Sequence, residues 1–394
     1  MKVLILHQHF KTPQPGGAIR SYYLARALVE SGADVEVITA HDKAYEKKVV
    51  EGIAVHYLRV PYRNSYGFIR RAWAFLQFLR KSVSKAGSIK NVDLCYAISV
   101  PLTVGLAAIR IKKRYGIPYY FEVGDLWPDA PIQMGFLRNP VLKTYLLKLE
   151  RGIYGQSEGI VALSPSIKRT IEEKSPDARV ALIPNMADTE FFQKVSKSQA
   201  LETKYELNGK FVVSYIGAIG FANGLDYMLK CAEAARMAAA PVHFFICGEG
   251  ADFARLKVRT NRLALGNLTF LEFRDREGVR ELLSVADAVF VCYKPFKILE
   301  TGSPNKFFDG LAAGKLIVVN FGGWIKKEIE DHRCGINVDP HDAGDFVRKI
   351  RPFITDKMLL QNYQFNARTL AENKYSRNEL SHAFCKFITE RHLP

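Results

Sequence analysis

Short apolar runs alternate with amphipathic helical patterns along the whole chain, and this alternation is typical of parallel sheets built from βαβ units. In the first half, the buried runs predict strands at Val3–Leu6, Val35–Thr39, Leu94–Ala97, Tyr119–Glu122 and Gly159–Leu163. In the second half, they predict strands at Phe211–Ile216, His243–Cys247, Thr269–Leu271, Ala288–Cys292, Leu316–Val319 and Gly335–Val338. The pattern therefore predicts an α/β protein with two doubly wound, Rossmann-like domains.

A polar stretch separates these two sets of strands. Residues 185–210 are rich in Lys, Ser, Gln and Glu and show no buried-strand pattern, so they are expected to link the domains. The length of 394 residues, of which 48% are hydrophobic, is sufficient for two cores. Two such domains leave a cleft between the carboxyl ends of their strands, which is where open α/β sheets bind ligands.

The segment 301–315, TGSPNKFFDGLAAGK, follows a buried strand of the second half and opens a helix. Ser303, Pro304 and Asn305 form a polar turn at the helix start, where free N–H groups and the helix dipole favour phosphate. Lys306 adds a positive charge, and Asp309, one turn along, is placed to accept hydrogen bonds from ribose hydroxyls. The alternative is an ordinary capped helix with a solvated lysine.

Two glycine-rich turns occupy equivalent places in the two halves. Gly16 and Gly17 follow the first strand and open a helix that runs to about Ser31, and Gly217 and Gly220 follow the first strand of the second half. Glycines at a helix start let the backbone approach a phosphate closely. Each turn alone is equally consistent with a flexible connection, but their matching positions favour one shared ligand.

Taken in order, these motifs resemble the family 4 retaining glycosyltransferases of GT-B fold. The residues that carry the resemblance are Gly16-Gly17, Ile183-Pro-Asn-Met-Ala-Asp188, Tyr215-Ile-Gly217, Cys247-Gly-Glu-Gly250 and Ser303-Pro-Asn-Lys306 through Ala313-Gly314. The resemblance is strongest to the branch that transfers amino sugars such as N-acetyl-L-fucosamine in bacterial O-antigen, capsule and colanic-acid synthesis, to which Asp125-Leu-Trp-Pro128 also belongs.

This resemblance implies an enzyme that moves a sugar, expected to be an N-acetylated amino sugar, from a UDP-sugar to a saccharide carried on a polyprenyl diphosphate. It implies an acceptor-binding, membrane-facing domain over residues 1–190, a donor-binding domain over residues 191–375 and a helix over residues 376–394 that crosses back to the first domain. The donor-binding residues would be Gly16, Gly17, Gly217, Gly220, Ser303, Pro304, Asn305, Lys306 and Asp309.

The chain departs from the family pattern at two places. Family members hold the donor with two glutamates eight positions apart, and here Thr301 takes the first position and Asp309 the second, with Glu300 one residue out of register. The family also places an arginine and a lysine in the glycine turn of the second domain, where this chain has Phe221 and Asn223. Lys306 is therefore the expected counter-charge for the donor diphosphate.

Departure of a nucleoside diphosphate places negative charge on its β-phosphate, so stabilising the leaving group matters more than a strong base. In the family the acceptor hydroxyl attacks on the face that the leaving group vacates, and no side-chain nucleophile is required. Lys306 and Asp125 are the expected catalytic residues, with Asp125 orienting a sugar hydroxyl or stabilising oxocarbenium charge. Alternatively Asp125 only caps a turn; Glu122 and Asp129 are less favoured.

No cofactor is expected beyond the UDP-sugar substrate. The chain lacks an Asp-x-Asp pair for a divalent metal, and its histidines show no ligand spacing. Its six dispersed cysteines indicate buried thiols in a reducing compartment. The first strand is too short for a signal-peptide core and no apolar run approaches the length of a membrane span, which predicts a cytoplasmic protein.

Basic residues outnumber acidic ones by 56 to 40, and the excess is concentrated in the first half. Residues 62–90 contain seven basic residues and no acidic one. The helix expected from Phe68 to Lys85 has a stripe predicted to face the core, made of Ile69, Trp73, Leu76, Leu79 and Val83. The residues predicted to rest on the inner face of the cytoplasmic membrane are Arg70, Arg71, Phe75, Phe78, Lys81 and Lys85. The alternative is a solvated basic face.

Two other classes of function share some of these features. A basic face with aromatic residues would suit nucleic acid, but the chain shows no nucleic-acid-binding module, so no such partner is expected. A UDP-sugar epimerase of GT-B fold would share the fold and the donor, but it needs an acid/base set in the cleft and no membrane surface.

Overall fold

The computed structural model describes residues 1–13, 19–63, 66–193 and 195–390. Gly16 and Gly17, predicted to bind the donor, lie outside the described residues. The elements of the first domain are β1 (Lys2–Leu6), α1 (Arg20–Glu30), β2 (Asp34–His41), β3 (Glu46–Val50), β4 (Ile53–Arg59), α2 (Phe68–Ala86), β5 (Leu94–Ile98), α3 (Thr103–Tyr115), β6 (Tyr119–Val123), α4 (Asp129–Gln133), α5 (Pro140–Gln156), β7 (Gly159–Ala162), α6 (Pro165–Lys174) and β8 (Val180–Leu182).

The second domain follows a connecting segment that includes one short helix. The elements are α7 (Gln199–Lys204), β9 (Phe211–Ile216), α8 (Asp226–Met237), β10 (Val242–Cys247), α9 (Phe253–Arg262), β11 (Leu268–Leu271), α10 (Arg276–Val285), β12 (Ala288–Val291), α11 (Asn305–Ala312), β13 (Leu316–Val319), α12 (Gly323–Asp331), β14 (Gly335–Asn337), α13 (Ala343–Thr355), α14 (Lys357–Lys374) and α15 (Arg377–Thr389). Two short 3₁₀ turns, Phe221–Asn223 and Lys297–Thr301, follow β9 and β12.

Both sheets are doubly wound, as predicted. The first has the strand order β3-β4-β2-β1-β5-β6-β7-β8 and the second the order β11-β10-β9-β12-β13-β14. The strand pairs are parallel except β3 with β4. The order in which successive strands are added to each sheet reverses between β1 and β5 and between β9 and β12. The loops that leave these strands therefore run to opposite sides of the sheet and open a crevice at each position.

Each predicted strand is present, and three further strands are found. The edge strand β3 has the polar sequence EKKVV, and β4 alternates buried and partly exposed residues, so neither forms a continuous apolar run. The third, β8, has only three residues at the opposite edge. The edge strands β3 and β8 and the neighbouring strand β4 therefore lack the longer continuous apolar run that identified the central strands.

The chain crosses between the domains at two adjacent places. Ala187 donates its N–H to the carbonyl of Tyr375 at 2.8 Å, and Arg377 donates its N–H to the carbonyl of Ala187 at 3.2 Å. Beyond this point α15 packs on α1 and on the first sheet, where the ring centroid of Phe384 lies 4.8 Å from that of Tyr96. The C-terminal helix therefore contacts the first domain, although the elements before it belong to the second.

The predicted orientation of α2 is wrong for part of its length. Phe78, expected at the membrane, is fully buried in the core of the first domain. Ile69, Trp73 and Leu76, expected in that core, are 82%, 62% and 52% exposed. The helix carries apolar residues on more than one side, so periodicity alone did not identify its core face, and packing against α3 selects it.

The remaining residues of the predicted membrane surface differ in their exposure to solvent. Arg70 and Lys81 are exposed, whereas Arg71, Phe75 and Lys85 are half-buried. Phe75 stacks on Tyr62 with a centroid distance of 5.7 Å, which places it in the wall of the cleft rather than on the outer surface.

The cysteines and the helices bear on two further expectations from the sequence. All six cysteines are buried and unpaired, which confirms their predicted burial. Among the helices of the described ranges, none is long and apolar enough to cross a bilayer.

Candidate active site in the interdomain cleft

The crevice between β9 and β12 holds most of the residues predicted to bind the donor. The loop after β9 contains Gly217 and Gly220, and the loop after β12 leads through Ser303 and Pro304 into α11, which begins at Asn305. No side chain caps the first turn of α11, so its N–H groups face the crevice without a side-chain acceptor.

Lys306 lies over the glycine loop. Its Nζ donates to the hydroxyl of Tyr215 at 3.0 Å and to Oδ1 of Asn223 at 3.4 Å, and its Cε lies 3.1 Å from the position a Cβ on Gly217 would take. Burial lowers the pKa of Lys306 to about 8. Among the described residues its ammonium group forms no ion pair, although the charge of Asp309 one turn along acts to raise its pKa.

The turn before α11 is held from three directions. Asn185, in the hinge, donates its side-chain amide to the carbonyl of Ser303, Ser164 donates to the carbonyl of Thr301 at 2.6 Å, and the indole of Trp324 donates to the carbonyl of Gly302 at 2.8 Å. Ser303 itself is buried. The turn is therefore fixed before any ligand arrives, which reduces the ordering cost of binding.

The two residues considered as replacements for a missing glutamate, Thr301 and Glu300, form hydrogen bonds within the protein. The hydroxyl of Thr301 donates to the carbonyl of Ile298 at 2.7 Å. The carboxylate of Glu300 accepts from Lys297 at 3.2 Å and lies against Gly322 at the start of α12.

The glycine loops after β9 and β10 pack backbone against backbone. Gly217 and Gly248 have φ angles of +145° and +147°, and a Cβ on Gly248 would lie 1.9 Å from the carbonyl oxygen of Gly217. Gly217 donates its N–H to the carbonyl of Cys247 at 2.9 Å. Glycine is required here because both the φ value and the space exclude a side chain, and the contact fixes the loop under Lys306.

Asp309 lies one turn along α11 from Lys306 and is half-buried. Burial raises the pKa of Asp309 to about 7, while the nearby charges of Arg276 and Lys306 act in the opposite direction. Its carboxylate is therefore partly protonated near neutral pH in the ligand-free protein.

We expect Asp309 to make the folded state less stable as the pH rises. Its pKa in the folded state is about 7, whereas the usual pKa of an aspartate side chain is 3.8, so between these values the folded state holds the extra proton and stability falls with increasing pH. Asp309→Asn should therefore raise the Tm relative to wild type more at pH 8 than at pH 5, while weakening nucleotide binding. Thermal unfolding across this range measures the difference.

Asp345 provides the matched control for this measurement. Although burial opposes ionisation, bonds from Lys349 and from the backbone lower the pKa of Asp345. Asp345→Asn should therefore lower the Tm by a similar amount at pH 5 and at pH 8. A pH-independent difference for Asp309→Asn would show that Asp309 is ionised throughout the range.

Asp125 stands on the first-domain wall of the cleft, directly after β6. Its side chain is open to the cleft, and desolvation by the surrounding protein raises the pKa of its carboxyl. Together with burial, its charge raises the pKa of the Tyr293 hydroxyl on the opposite wall, and the Tyr293 ring lies 5.7 Å from Nζ of Lys306. Asp125 of the first domain and Lys306 of the second thus both lie near Tyr293.

Glu122 and Asp129 are occupied by structural partners. Glu122 accepts hydrogen bonds from Arg20 at 3.0 Å and from the Tyr96 hydroxyl at 2.5 Å. Asp129 forms an ion pair with Lys174. Within the described part of the chain, the Asp125 carboxylate makes no such bond, which leaves it available to a ligand.

A cavity of about 1090 Å³ extends the cleft on the first-domain side, between the loop after β1 and residues 249–251 of the second domain. Gln8 in its wall is fully buried, and neither polar atom of its amide has a hydrogen-bond partner. Phe75 stacks on Tyr62 at a centroid distance of 5.7 Å, and the His9 ring packs against Tyr62 at a tilt, at 4.7 Å. Sequence analysis did not identify this wall, because its members are far apart along the chain.

The two histidines after β1 are not charged at neutral pH. Burial lowers the pKa of His7 to about 3 and that of His9 to about 4. His7 shares a hydrogen bond of 2.8 Å with Ser21, which indicates a structural role.

The hinge contains an ion-pair network that sequence analysis also missed. Asp188 is buried, accepts from the Tyr23 hydroxyl and from Arg377 at 2.9 Å each, and forms an ion pair with Arg276. Burial acts to raise the pKa of Asp188, but hydrogen bonding and the positive charges of the two arginines lower this pKa. The network joins α1, α10 and α15, so it couples both domains to the hinge.

The described ranges contain no group of three or more His, Cys, Asp or Glu side chains placed to hold a metal ion. Lys306, Asp309 and Asp125 are charged groups at this crevice. Such a set suits an anionic ligand with hydroxyl groups better than a hard cation.

Two family models match consecutive parts of the chain. Residues 16–186 match the model described as Glycosyl transferase 4-like domain, and residues 198–370 match the model described as Glycosyl transferases group 1. The two matches meet at the hinge and together span both sheets.

Known proteins are similar over much of this length. The putative colanic acid biosynthesis glycosyl transferase WcaI of Escherichia coli (strain K12) is 25% identical over 71% of this chain and 69% of the relative. The alpha-D-kanosaminyltransferase of Streptomyces kanamyceticus is 22% identical over 71% of this chain and 68% of the relative. The crystal structure of Anabaena HepE in complex with UDP and glucose superposes with a TM-score of 0.72 at 16% identity, covering 99% of this chain and 100% of the other.

Proposed function

Since the chain carries the two domains of a glycosyltransferase of GT-B fold, we propose that it transfers an N-acetylated amino sugar from a UDP-sugar to a lipid-linked saccharide. The anomeric configuration is retained, no metal ion takes part, and the product contributes to a bacterial surface polysaccharide. The enzyme acts in the cytoplasm, at the inner face of the membrane.

The observation that carries this proposal is the enclosed ammonium group of Lys306 above the Gly217 loop and beside the first turn of α11. A positive charge, a helix N-terminus and a glycine loop at one switch point form a site for a diphosphate. Asp309 is one turn away, where the ribose of a nucleotide would lie if its phosphates rest on Lys306.

Three of the similar proteins support the finer parts of the proposal. HepE was solved with UDP and glucose, which supports a UDP-sugar donor. The kanosaminyltransferase supports an amino sugar, and WcaI supports a role in surface polysaccharide synthesis.

The mechanism follows from the placement of the two opposed charges. The bond between the anomeric carbon and the β-phosphate oxygen breaks, and its electron pair moves to the phosphate, where Lys306 and the α11 N–H groups stabilise the charge. The acceptor hydroxyl bonds to the anomeric carbon on the same face and gives its proton to the departing phosphate. Asp125, on the opposite wall, orients the donor sugar and stabilises positive charge on its ring.

The proposal is tested by measuring the thermal stability of the purified protein with UDP, GDP, dTDP, CMP and ADP in the absence of metal. A ligand that binds only the folded state raises the Tm, and we expect the largest shift with UDP. An unchanged Tm with every nucleotide would contradict the donor site. Incubation of UDP-sugars without acceptor separates the alternatives, because an epimerase would convert the donor whereas a transferase would at most hydrolyse it slowly.

The membrane part of the proposal rests on the surface of α2. Its apolar residues differ from those first expected, whereas two of the expected basic residues are retained. Ile69, Trp73 and Leu76 form one exposed stripe, and Arg70 and Lys81 beside it are exposed. The stripe lies in the half of α2 that begins at the carboxyl edge of the sheet, next to the cleft. Aromatic and aliphatic side chains with flanking basic residues suit an anionic bilayer surface, and this position would bring a lipid-linked acceptor to the cleft.

We expect Trp73→Ser combined with Leu76→Ser to lower binding to phosphatidylglycerol vesicles by about tenfold or more, because burying such side chains contributes about 1.5–3 kcal/mol each. Flotation measures the bound fraction. The matched control is Met358→Ser with Phe365→Ser, two residues of α14 that are similarly exposed, at 66% and 64%. Equal binding by the two double variants would contradict the assignment of this surface.

A further inference from the structure

We propose that Lys294 is a second diphosphate-binding residue of the donor site, acting on the same phosphates as Lys306 from the other side of the glycine loop. This inference rests on the proposed function and adds a residue that the sequence did not suggest. Its basis is an unpaired, pre-positioned cation at a loop whose own sequence, Gly217–Gly224, contains no basic residue.

Lys294 is attached to the glycine loop along most of its length. Its N–H donates to the carbonyl of Ala222 at 2.9 Å. A Cβ on Gly224 would lie 2.9 Å from Cγ of Lys294, so the side chain runs directly over the backbone of that glycine. Gly224 has a φ of +58°, and its lack of a side chain makes this close approach possible.

The ammonium group of Lys294 is held by an aromatic ring rather than by an acid. Its Nζ lies 3.2 Å from the ring centroid of Phe221. Within the described ranges it forms no ion pair, whereas Lys297, three residues further on, pairs with Glu300. A ring face stabilises a cation without neutralising it, so the charge of Lys294 stays available to an anionic ligand.

Lys306 and Lys294 together bracket the loop. Lys306 contacts Gly217 and Asn223, and Lys294 contacts the adjacent Gly224. A diphosphate carries more than one negative charge, and burial leaves Lys306 with a pKa of about 8, so one lysine neutralises it incompletely. Two cations at the two ends of one glycine loop match the multiple charge of a diphosphate.

Phe221 acts as a positioning residue for Lys294. Its ring is contacted edge-on by Phe136 of the first domain at a centroid distance of 5.4 Å, and by Phe296 at 6.3 Å. The ring that carries the cation is therefore fixed partly from across the cleft. An approach of the two domains would hold the charge of Lys294 at the loop.

The test compares binding of UDP and of uridine by calorimetry, using the full chain. Lys294→Met should weaken UDP binding about tenfold, as expected for loss of one charge-assisted contact, and leave uridine binding unchanged. Lys294→Arg should retain most of the UDP affinity. Lys297→Met is the matched control, because Lys297 is 87% exposed on the same loop, and it should bind both ligands like wild type.

Each other outcome has a definite meaning. If Lys294→Met binds UDP as wild type does, or loses UDP and uridine binding equally, Lys294 is a structural residue and the inference is overturned while the proposed function stands. If wild type binds no nucleoside diphosphate, both are overturned. Phe221→Leu should reduce UDP affinity less than Lys294→Met does and spare uridine; an equal loss for uridine would remove its positioning role.

Discussion

Lys306→Ala should lower kcat by about 10²- to 10³-fold, the effect of removing one preorganised group that stabilises developing charge. The reason is structural: the ammonium group lies over the glycine loop, and its hydrogen bonds within the described part of the chain go to the neutral side chains of Tyr215 and Asn223. UDP affinity should fall less than turnover, because the charge on the β-phosphate increases as the sugar departs. Steady-state kinetics with the UDP-sugar identified by the nucleotide panel give both quantities.

The pH dependence of this residue provides an independent check. Burial holds the pKa of Lys306 at about 8, and only the protonated amine stabilises the leaving group. The kcat/KM for the donor should therefore fall as the pH rises through about 8. Lys306→Arg should abolish this decrease, because arginine stays protonated. Lys326, an exposed lysine of α12, is the control, and its alanine variant should keep both the rate and the pH profile.

Retention of wild-type turnover by Lys306→Ala would contradict the assignment of the leaving-group site. A uniform loss of UDP and uridine binding together with a lower Tm would instead indicate that Lys306 supports the fold through Tyr215. The two results are separable because unfolding and turnover are measured on the same preparation.

Asp125→Asn should lower transfer by about a hundredfold or more and leave UDP affinity within about twofold of wild type. The carboxylate faces the cleft, is raised in pKa by desolvation and lies opposite Tyr293 and Lys306. In this position it contacts the donor sugar or the acceptor rather than the nucleotide. Asparagine preserves the size of the side chain and removes the charge that would stabilise positive charge on the sugar ring.

Two other carboxylates of the first domain, Asp129 and Asp177, serve as controls for Asp125. Asp129→Asn should lower the Tm, because it leaves Lys174 of the Lys174–Glu150 pair with one fewer partner, but the surviving folded enzyme should keep its kcat. Asp177, exposed and away from the cleft, should tolerate the same change without effect. Loss of UDP affinity in Asp125→Asn would place this residue at the nucleotide instead of the sugar.

The central strands and the turn before α11 could be recognised from sequence because their physical causes are local. A strand buried on both faces must be apolar at successive positions, which is why β1, β5, β9 and β12 were found with small errors at their ends. The turn before α11 was equally visible, since a polar turn, a lysine and a glycine that ends the helix lie within fifteen residues. The close packing of Gly217 on Gly248 explains why both loops need glycine.

Features that depend on contacts between distant segments were not visible in the same way. The exposed stripe of α2 and its buried neighbour Phe78 are both apolar, and only the packing against α3 distinguishes them. The Asp188 network joins residues more than 80 positions apart, and no spacing rule connects them. The wall formed by Gln8, Tyr62 and Phe75 likewise exists only because the loop after β1 meets the loop after β4 and the helix α2 that follows it.

The sequence by itself determined that this protein has two doubly wound α/β domains and a polar turn with a lysine after β12, because burial and turn formation act between near neighbours along the chain. Tertiary structure alone decided which cations serve that loop and which face of α2 meets solvent. Lys294 is 70 residues from Gly224 in the sequence, and its ammonium group lies on the Phe221 ring only because β9 and β12 are adjacent in the sheet.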